Sequence, residues 1–477
     1  MRCALLIILA LLLLNSCSFA PRSHIPPIQI PLKYKEAGKW IKLDKPVPLK
    51  TNAWWSLFHD KKLNELEENL DLYNENIHLA AERFEKAVAL AQIARSYKYP
   101  SINLFGNPVR QKYSTTSASL PVSARTTYNN YLLSPFFIYE IDVWQRVHNA
   151  LVASEHLALA SKYDLATVRL SMEAELAKDY FELQAFNKAQ QILDQNVKTY
   201  ARAYKLRKQR YKGGADSAIE VAEAKAKLEN AKLKSEDMQR KRELIQHAIA
   251  TLIGTFPANV SITPKPFNGK SITPIPPLPS TLLTKRPDIA ASIERVQSAN
   301  ASIGVARAAF FPILNLTALL GGYQSSSITK LFSTASSIWA IGAPTNLSII
   351  EPGINQVLFD GFRLQAMLSD TKSNYYLAVH AYRQTVLNAL QDVEDHLTNI
   401  KKLDRQILTQ KAATIARKQS LYQAKQREKK GLTTYLEVAP EENNALNAEL
   451  ALLNLKSKRQ LASIGLIKAI GGGWLPT

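Results

Sequence analysis

Two stretches of this 477-residue chain, 145–212 and 362–430, contain neither glycine nor proline. Nothing in them stops a helix, and a helix of roughly 70 residues reaches about 100 Å at 1.5 Å per residue. That is several times the width of an ordinary domain, so length itself is the first property to explain. The two stretches are also copies of each other. Arg210, Gly214, Ser217, Ile219, Glu220, Val221 and Gly254 have counterparts 217 residues on, in Arg427, Gly431, Thr434, Leu436, Glu437, Val438 and Gly471. Nearer the start of each copy the offset is 212. Ala94-Arg95, Tyr99-Pro100 and Asn103-Leu104 answer to Ala306-Arg307, Phe311-Pro312 and Asn315-Leu316. Two units of about 200 residues are a duplication, not a solenoid of short repeats.

The N-terminus reads as a targeting segment. Arg2 precedes an apolar run over 4–14 that is too short to span a bilayer. It ends Leu14-Asn15-Ser16-Cys17, which resembles a bacterial lipobox and predicts removal of 1–16 and lipidation of Cys17. A plain secretory signal with an incidental cysteine is the alternative. Cys3 lies inside that segment, so the mature chain holds Cys17 alone and forms no intrachain disulfide. No later stretch reaches 18 unbroken apolar residues. Any membrane crossing must therefore be a closed β-barrel. The formal charge is +20. Export argues against nucleic acid as its cause. A lysine-biased helical surface, or basic helix tips facing an acidic partner, accounts for it instead.

Residues 17–53 are proline-rich and read as extended. A helix is expected over 54–98, opened by Trp54-Trp55, with Leu63, Leu66, Leu70, Ile77, Ala80, Phe84 and Ala87 at helical spacing, and stopped by Pro100. The chemistry then turns to Tyr, Phe, Ser, Thr and Asn over 101–144, and Phe136-Phe137-Ile138-Tyr139 has strand character. The second copy repeats this from 312 to about 360, after a helix running from Leu282 to Phe311. Two strands per copy make four, too few to close a membrane barrel. Strands that span a membrane must then be shared among several chains.

Long helices occupy 145–212 and 362–430. In the second, Val379, Val386, Val393, Ile400 and Ile407 recur every seven residues, with Tyr382, Ala389 and Leu403 in a second seam. In the first, Leu151, Ala158, Leu165 and Met172 recur likewise. Gly213-Gly214 and Gly431 turn each chain into a shorter return helix, 217–253 and 433–470. The repeats occupy 54–262 and 282–477, joined by a proline-rich linker over 263–281.

No catalytic constellation emerges, and neither a cofactor nor a metal is implied. The eight histidines include no pair at His-x-x-x-His spacing. Gly471-Gly472-Gly473 comes after a helix, where phosphate loops do not sit. Asp392, Glu394 and Asp395 read as a solvated or ion-paired helix face, with Lys401-Lys402 as candidate partners.

The assembled motifs resemble those of the TolC-like outer-membrane efflux proteins, in the lipid-anchored branch. The resemblance rests on Trp54-Trp55, Phe58, Asp60 and Asn76, and on the block from Tyr139 through Trp144 to Arg146. It rests further on Arg286-Pro287-Asp288-Ile289, on Ala299-Asn300-Ala301-Ser302-Ile303-Gly304, on Phe359-Asp360-Gly361, and on Gly471-Gly472-Gly473-Trp474. It implies a mainly α protein with a membrane β-barrel. A homotrimer would share twelve strands, four from each chain, and its long α-helical hairpins would form a periplasmic tunnel. It implies a passive exit duct in the outer membrane of a Gram-negative bacterium, in contact with outer-membrane lipid, a periplasmic adaptor and an inner-membrane efflux transporter. Carried over by residue, Arg210, Tyr211, Gly214, Ser217, Gly431 and Thr434 become adaptor-facing hairpin tips. Glu437 and Glu441 become candidates for the pore gate, with Pro440 where the family has its next acid, and this proline is expected to kink the return helix. Gln145 stands where the family usually has glycine. Rival readings are a duct for secreted polypeptides and, from another class, a periplasmic coiled-coil adaptor lipoprotein.

Overall fold

The computed structural model describes residues 19–22, 27–36, 53–112, 114, 127–263, 265–267, 269, 272, 274, 276–341 and 354–475. Cys17 and the targeting segment lie outside the described residues, as does most of the proline-rich stretch. The chain has helices α1 (Lys61–Tyr73), α2 (Glu75–Ser96), α3 (Arg146–Lys212), α4 (Ala218–Leu252), α5 (Pro287–Ala308), α6 (Arg363–Lys429) and α7 (Tyr435–Ala469). Its strands are β1 (Ser101–Lys112), β2 (Thr127–Glu140), β3 (Ile313–Ser325), β4 (Ser337–Ile341) and β5 (Ile354–Asn355). The bounds of α3 and α4 recur in α6 and α7 at the 217-residue offset, and those of α2 recur in α5 at 212.

The helix expected over 54–98 is three elements. A 3-10 turn covers Trp54–Phe58, Asp60 caps α1, and the chain breaks again at Asn74 before α2. Asn74 is extended, and its side-chain oxygen accepts from the Ile77 amide. It thereby ends one helix and starts the next, the capping behaviour that makes asparagine a poor helix interior. The helix expected from Leu282 to Phe311 breaks at the equivalent place. A single turn covers Leu282–Lys285, Arg286 is extended, and Pro287 opens α5 as a first-turn proline.

The chain divides into two compact units, and each copy contributes to both. One unit comprises Met1–Pro26, Phe84–Ser161 and Ser292–Tyr382. It holds one antiparallel sheet in the order β1-β2-β3-β4, with β5 also paired to β3. The register of β2 against β3 shifts between Leu133 and Phe136, where Pro135 cannot donate to a ladder. Across that bulge a side chain on Gly322 would strike the Ser134 hydroxyl, so the glycine is what lets the strands approach. Large apolar side chains of the sheet stand exposed, among them Ile102, Leu104, Trp339 and Ile341. In the same unit Phe19 stacks on Phe311, with centroids 4.6 Å apart, and Trp144 stacks on Phe311 at 4.8 Å. Asn300 donates to the Pro21 carbonyl and Arg307 to that of Phe19. The Asn300–Gly304 motif thus seats the strand of chain that comes just after the predicted lipidation site.

The second unit comprises Pro27–Arg83, Lys162–Ala291 and Arg383–Thr477. Its main core joins Trp54, Leu63, Leu66 and Leu70 to Leu176, Tyr180 and Leu183 of α3 and to Ile249 and Ile464 of the return helices. Of the heptad seam of α6, Val386, Val393 and Ile400 are closely buried, as is Val379 in the first unit, while Ile407 is only half-buried. In α3, Leu151 is buried but Ala158, Leu165 and Met172 are only half-buried. The ends of both return helices are held the same way. The Asn74 amide donates to the Leu252 carbonyl at 2.7 Å, and the Arg286 guanidinium to that of Ala469 at 2.9 Å. Arg286 also binds Asp288 and Asp392. This corrects the partner expected for the acidic face of α6. Asp392 pairs with Arg286, Glu394 accepts from the Lys35 and Glu36 amides, and Lys401 pairs with Glu36. The α6 face is held by chain from elsewhere, which local i,i+4 spacing does not show.

Candidate functional site at the hairpin turns

Both turns lie in the second unit and use one backbone solution. α3 ends in Gly214 at φ +72 and α6 in Gly431 at φ +70. The Ala215 amide reaches back to the Arg210 carbonyl at 2.8 Å, and the Leu432 amide to that of Arg427 at 3.0 Å. These are left-handed glycine caps that satisfy carbonyls left over at a helix end. Neither glycine has anything within 4 Å of where a side chain would sit, so the turns are open to solvent.

The two turns differ in how the return helix begins. Ser217 and Glu220 form a reciprocal capping box at the start of α4. Thr434, its counterpart, makes no side-chain cap at the start of α7. There Tyr435 turns inward to 7% exposure beside Val438 and Ala439. Its hydroxyl donates to Glu442 at 3.1 Å, and burial followed by the Glu442 charge pushes the phenol up to about 12. The Arg202 guanidinium of α3 lies 3.8 Å over the Tyr435 ring and pairs with Glu428 of α6. These contacts fasten one hairpin against the other.

Among the residues assigned from sequence, Arg210 is bound to Asp216 at 2.9 Å, and Tyr211 is exposed. Asp216, which sequence reasoning passed over, also pairs with Arg207 at 3.2 Å. Burial would raise its carboxyl, but its hydrogen bonds to Arg210 and Arg207 outweigh that and hold it below the usual range. The available signal was an acid just past Gly213-Gly214 with two arginines one and two turns before it. The two gate candidates have different surroundings. Glu441 accepts from the Ser420 hydroxyl at 2.8 Å. Glu437 is exposed and makes no side-chain hydrogen bond or ion pair among the described residues. Pro440 leaves α7 assigned without a break, because only one backbone bond is lost so close to the helix start.

No group of three or more histidine, cysteine or acidic residues is placed to hold a metal among the described residues, and no described helix is long and apolar enough to cross a membrane. Residues 68–255 and 278–472 match the family described as outer membrane efflux protein. The chain belongs to that family. This outer membrane efflux protein is 26% identical to the toluene efflux pump outer membrane protein TtgC of Pseudomonas putida over 97% of its own length and 94% of that protein's. It is 26% identical to the cation efflux system protein CusC of Escherichia coli, over 99% of both chains. Its fold matches the crystal structure of the Campylobacter jejuni CmeC outer membrane channel with a TM-score of 0.88, at 26% identity and over 96% of each chain. The family is one of efflux ducts and not a family of enzymes, which accords with the TolC-like reading of the motifs.

Proposed function

We propose that this efflux protein works as a homotrimer in which each chain lends its sheet to one twelve-stranded barrel. The observation that carries the reading is the sheet itself. It is four strands wide, ends in unpaired edges at β1 and β4 among the described residues, and exposes Ile102, Leu104, Trp339 and Ile341. Open edges cannot stand in hydrocarbon, and four strands cannot close. Copies of the chain can satisfy both conditions by joining β1 of one to β4 of the next.

Lipidation at Cys17 would add a second hold on the outer membrane. The helical hairpins form the periplasmic duct, and their turns meet a periplasmic adaptor that links the duct to an inner-membrane transporter. The duct is passive, and cargo is chosen upstream. That relatives of equal similarity are named for toluene and for cations supports a bore that is indifferent to cargo. Glu437, exposed and unpaired, is the better gate candidate, since three copies would form a cation-attracting ring. The purified lipoprotein in detergent should have three times the chain mass and form ion-conducting pores in planar bilayers. A monomer without conductance refutes the reading.

A further inference from the structure

The sequence assigns basic residues to the hairpin turns, and the structure shows which of them are already engaged. Arg207 and Arg210 are taken up by Asp216 and Glu220, and Arg202 by Glu428 and Tyr435. Lys205, Lys208, Lys212, Arg427, Lys429 and Lys430 are exposed and make no side-chain hydrogen bond or ion pair among the described residues. All six lie within about three helical turns of Gly214 or Gly431, on hairpins that Arg202 fastens together.

The helix dipole explains part of this. Cations in a last turn are stabilised by the carbonyl end of a helix, which covers Lys212, Arg427 and Lys429. That effect fades within one turn, and Lys205 and Lys208 lie further back along α3. The return helices begin with one acid each, Glu220 and Glu437, and Glu220 is spent on the capping box and Arg207. Six free cations gathered near two turns that are fastened together repel one another and so raise the energy of the isolated protein. Arg202, Arg207 and Arg210, whose flat forks suit paired contacts, are engaged within the hairpins, and mainly lysines stand unpaired. The turn backbone is fixed by glycine caps and, in the first hairpin, by the capping box. The charges are therefore presented on a preset surface.

We infer that the two turns together form a docking surface for an acidic protein segment, so that the adaptor docking end is rich in Asp and Glu where it meets Lys205, Lys208 and Lys430. The inference rests on the proposed adaptor contact and adds its chemistry. Long-range attraction of this kind raises the association rate and is screened by salt, with a Debye length of about 8 Å at physiological ionic strength.

A photo-crosslinking residue placed at Lys208 or Lys430 of the full-length protein in its own cells tests this, with mass-spectrometric sequencing of the adducts. The expected adduct is a periplasmic protein whose attached segment is net acidic. Its yield should fall about tenfold on raising the medium from about 0.05 to about 0.5 M NaCl, or on Lys205→Glu with Lys212→Glu, as for a salt-screened contact. Lys234→Glu, more than about five helical turns from Gly214 along α4, serves as the control and should change the yield less than about twofold. A protein adduct with a neutral or basic segment, or one indifferent to salt and to both lysine changes, overturns the acidic-partner inference and leaves the adaptor reading standing. Adducts to phospholipid alone, or to no periplasmic protein, overturn both.

Discussion

Gly254→Ala should destabilise the second unit far more than the same change at the first hairpin turn. Gly254 ends α4 at φ +67, and an added Cβ would lie 2.0 Å from the Tyr73 carbonyl oxygen and 2.7 Å from the Tyr73 Cβ. Left-handed backbone costs a non-glycine residue roughly 1–2 kcal/mol. The overlap is with backbone, so it is relieved only by moving the end of α1 away. That movement breaks the 2.7 Å bond from Asn74 to Leu252, worth about 1 kcal/mol net. It also loosens Leu70 and Ile249, both fully buried. With about 1 kcal/mol for the disturbed packing, the sum is about 3–4 kcal/mol. Gly214→Ala carries the same backbone cost at φ +72 but meets nothing within 4 Å, so about 1–2 kcal/mol is expected. Thermal melting of the detergent-solubilised protein, monitored by helical circular dichroism, separates the two. At about 2 °C per kcal/mol, Gly254→Ala should lower the midpoint by about 6–8 °C and Gly214→Ala by about 2–4 °C. Equal shifts would show that the close approach at Tyr73 is not rigid, and the argument from steric overlap would fail.

Other sites give further expected outcomes. Gln145→Gly should stabilise by about 1 kcal/mol, since Gln145 holds φ +57 and glycine adopts that region freely; an unchanged melting midpoint refutes it. Burial, opposed in part by a hydrogen bond from Trp54, raises the Glu173 carboxyl to about 7. The folded state therefore holds a proton that the unfolded state releases, and stability should fall as pH rises from about 4.5 to 7. Glu173→Gln keeps an acceptor for Trp54 and should flatten that slope by up to about 3 kcal/mol over the window, read from denaturant midpoints at several pH values. Glu437→Ala should lower the cation preference of the pore in bilayer recordings. Single-channel behaviour identical to that of the unmodified protein would remove Glu437 from the gate.

The sequence made the long helices legible because continuity needs only the absence of glycine and proline. The turns were legible because left-handed caps require glycine, and Gly214 and Gly431 are the residues found there. The break at Asn74 was missed because a capping asparagine inside an apolar period looks like an exposed helical position. The break at Arg286 was marked by Pro287, yet the apolar period continues through it. At the turns, Arg210 was visible as a motif residue, but its partner was not. Asp216 acts through a bend in the chain, and sequence spacing does not convey how a bend folds back. Tyr435 follows the tip residue Thr434 in sequence, yet the structure uses it as an anchor between hairpins. Burial of that kind depends on which helix lies opposite, here α3 through Arg202.

The holding of the two return helices has a further consequence. Asn74 and Arg286 occupy corresponding positions, 212 residues apart, and do the same job with different chemistry. The first latch is neutral. The second is ionic, with Arg286 held by Asp288 and Asp392. The two halves of the molecule therefore have unequal tolerance of their surroundings. Concentrated salt would slacken the C-terminal latch while leaving the N-terminal one intact. A symmetric ancestor with two identical halves would have loosened everywhere at once. Divergence after duplication has given this chain a built-in order in which its parts let go.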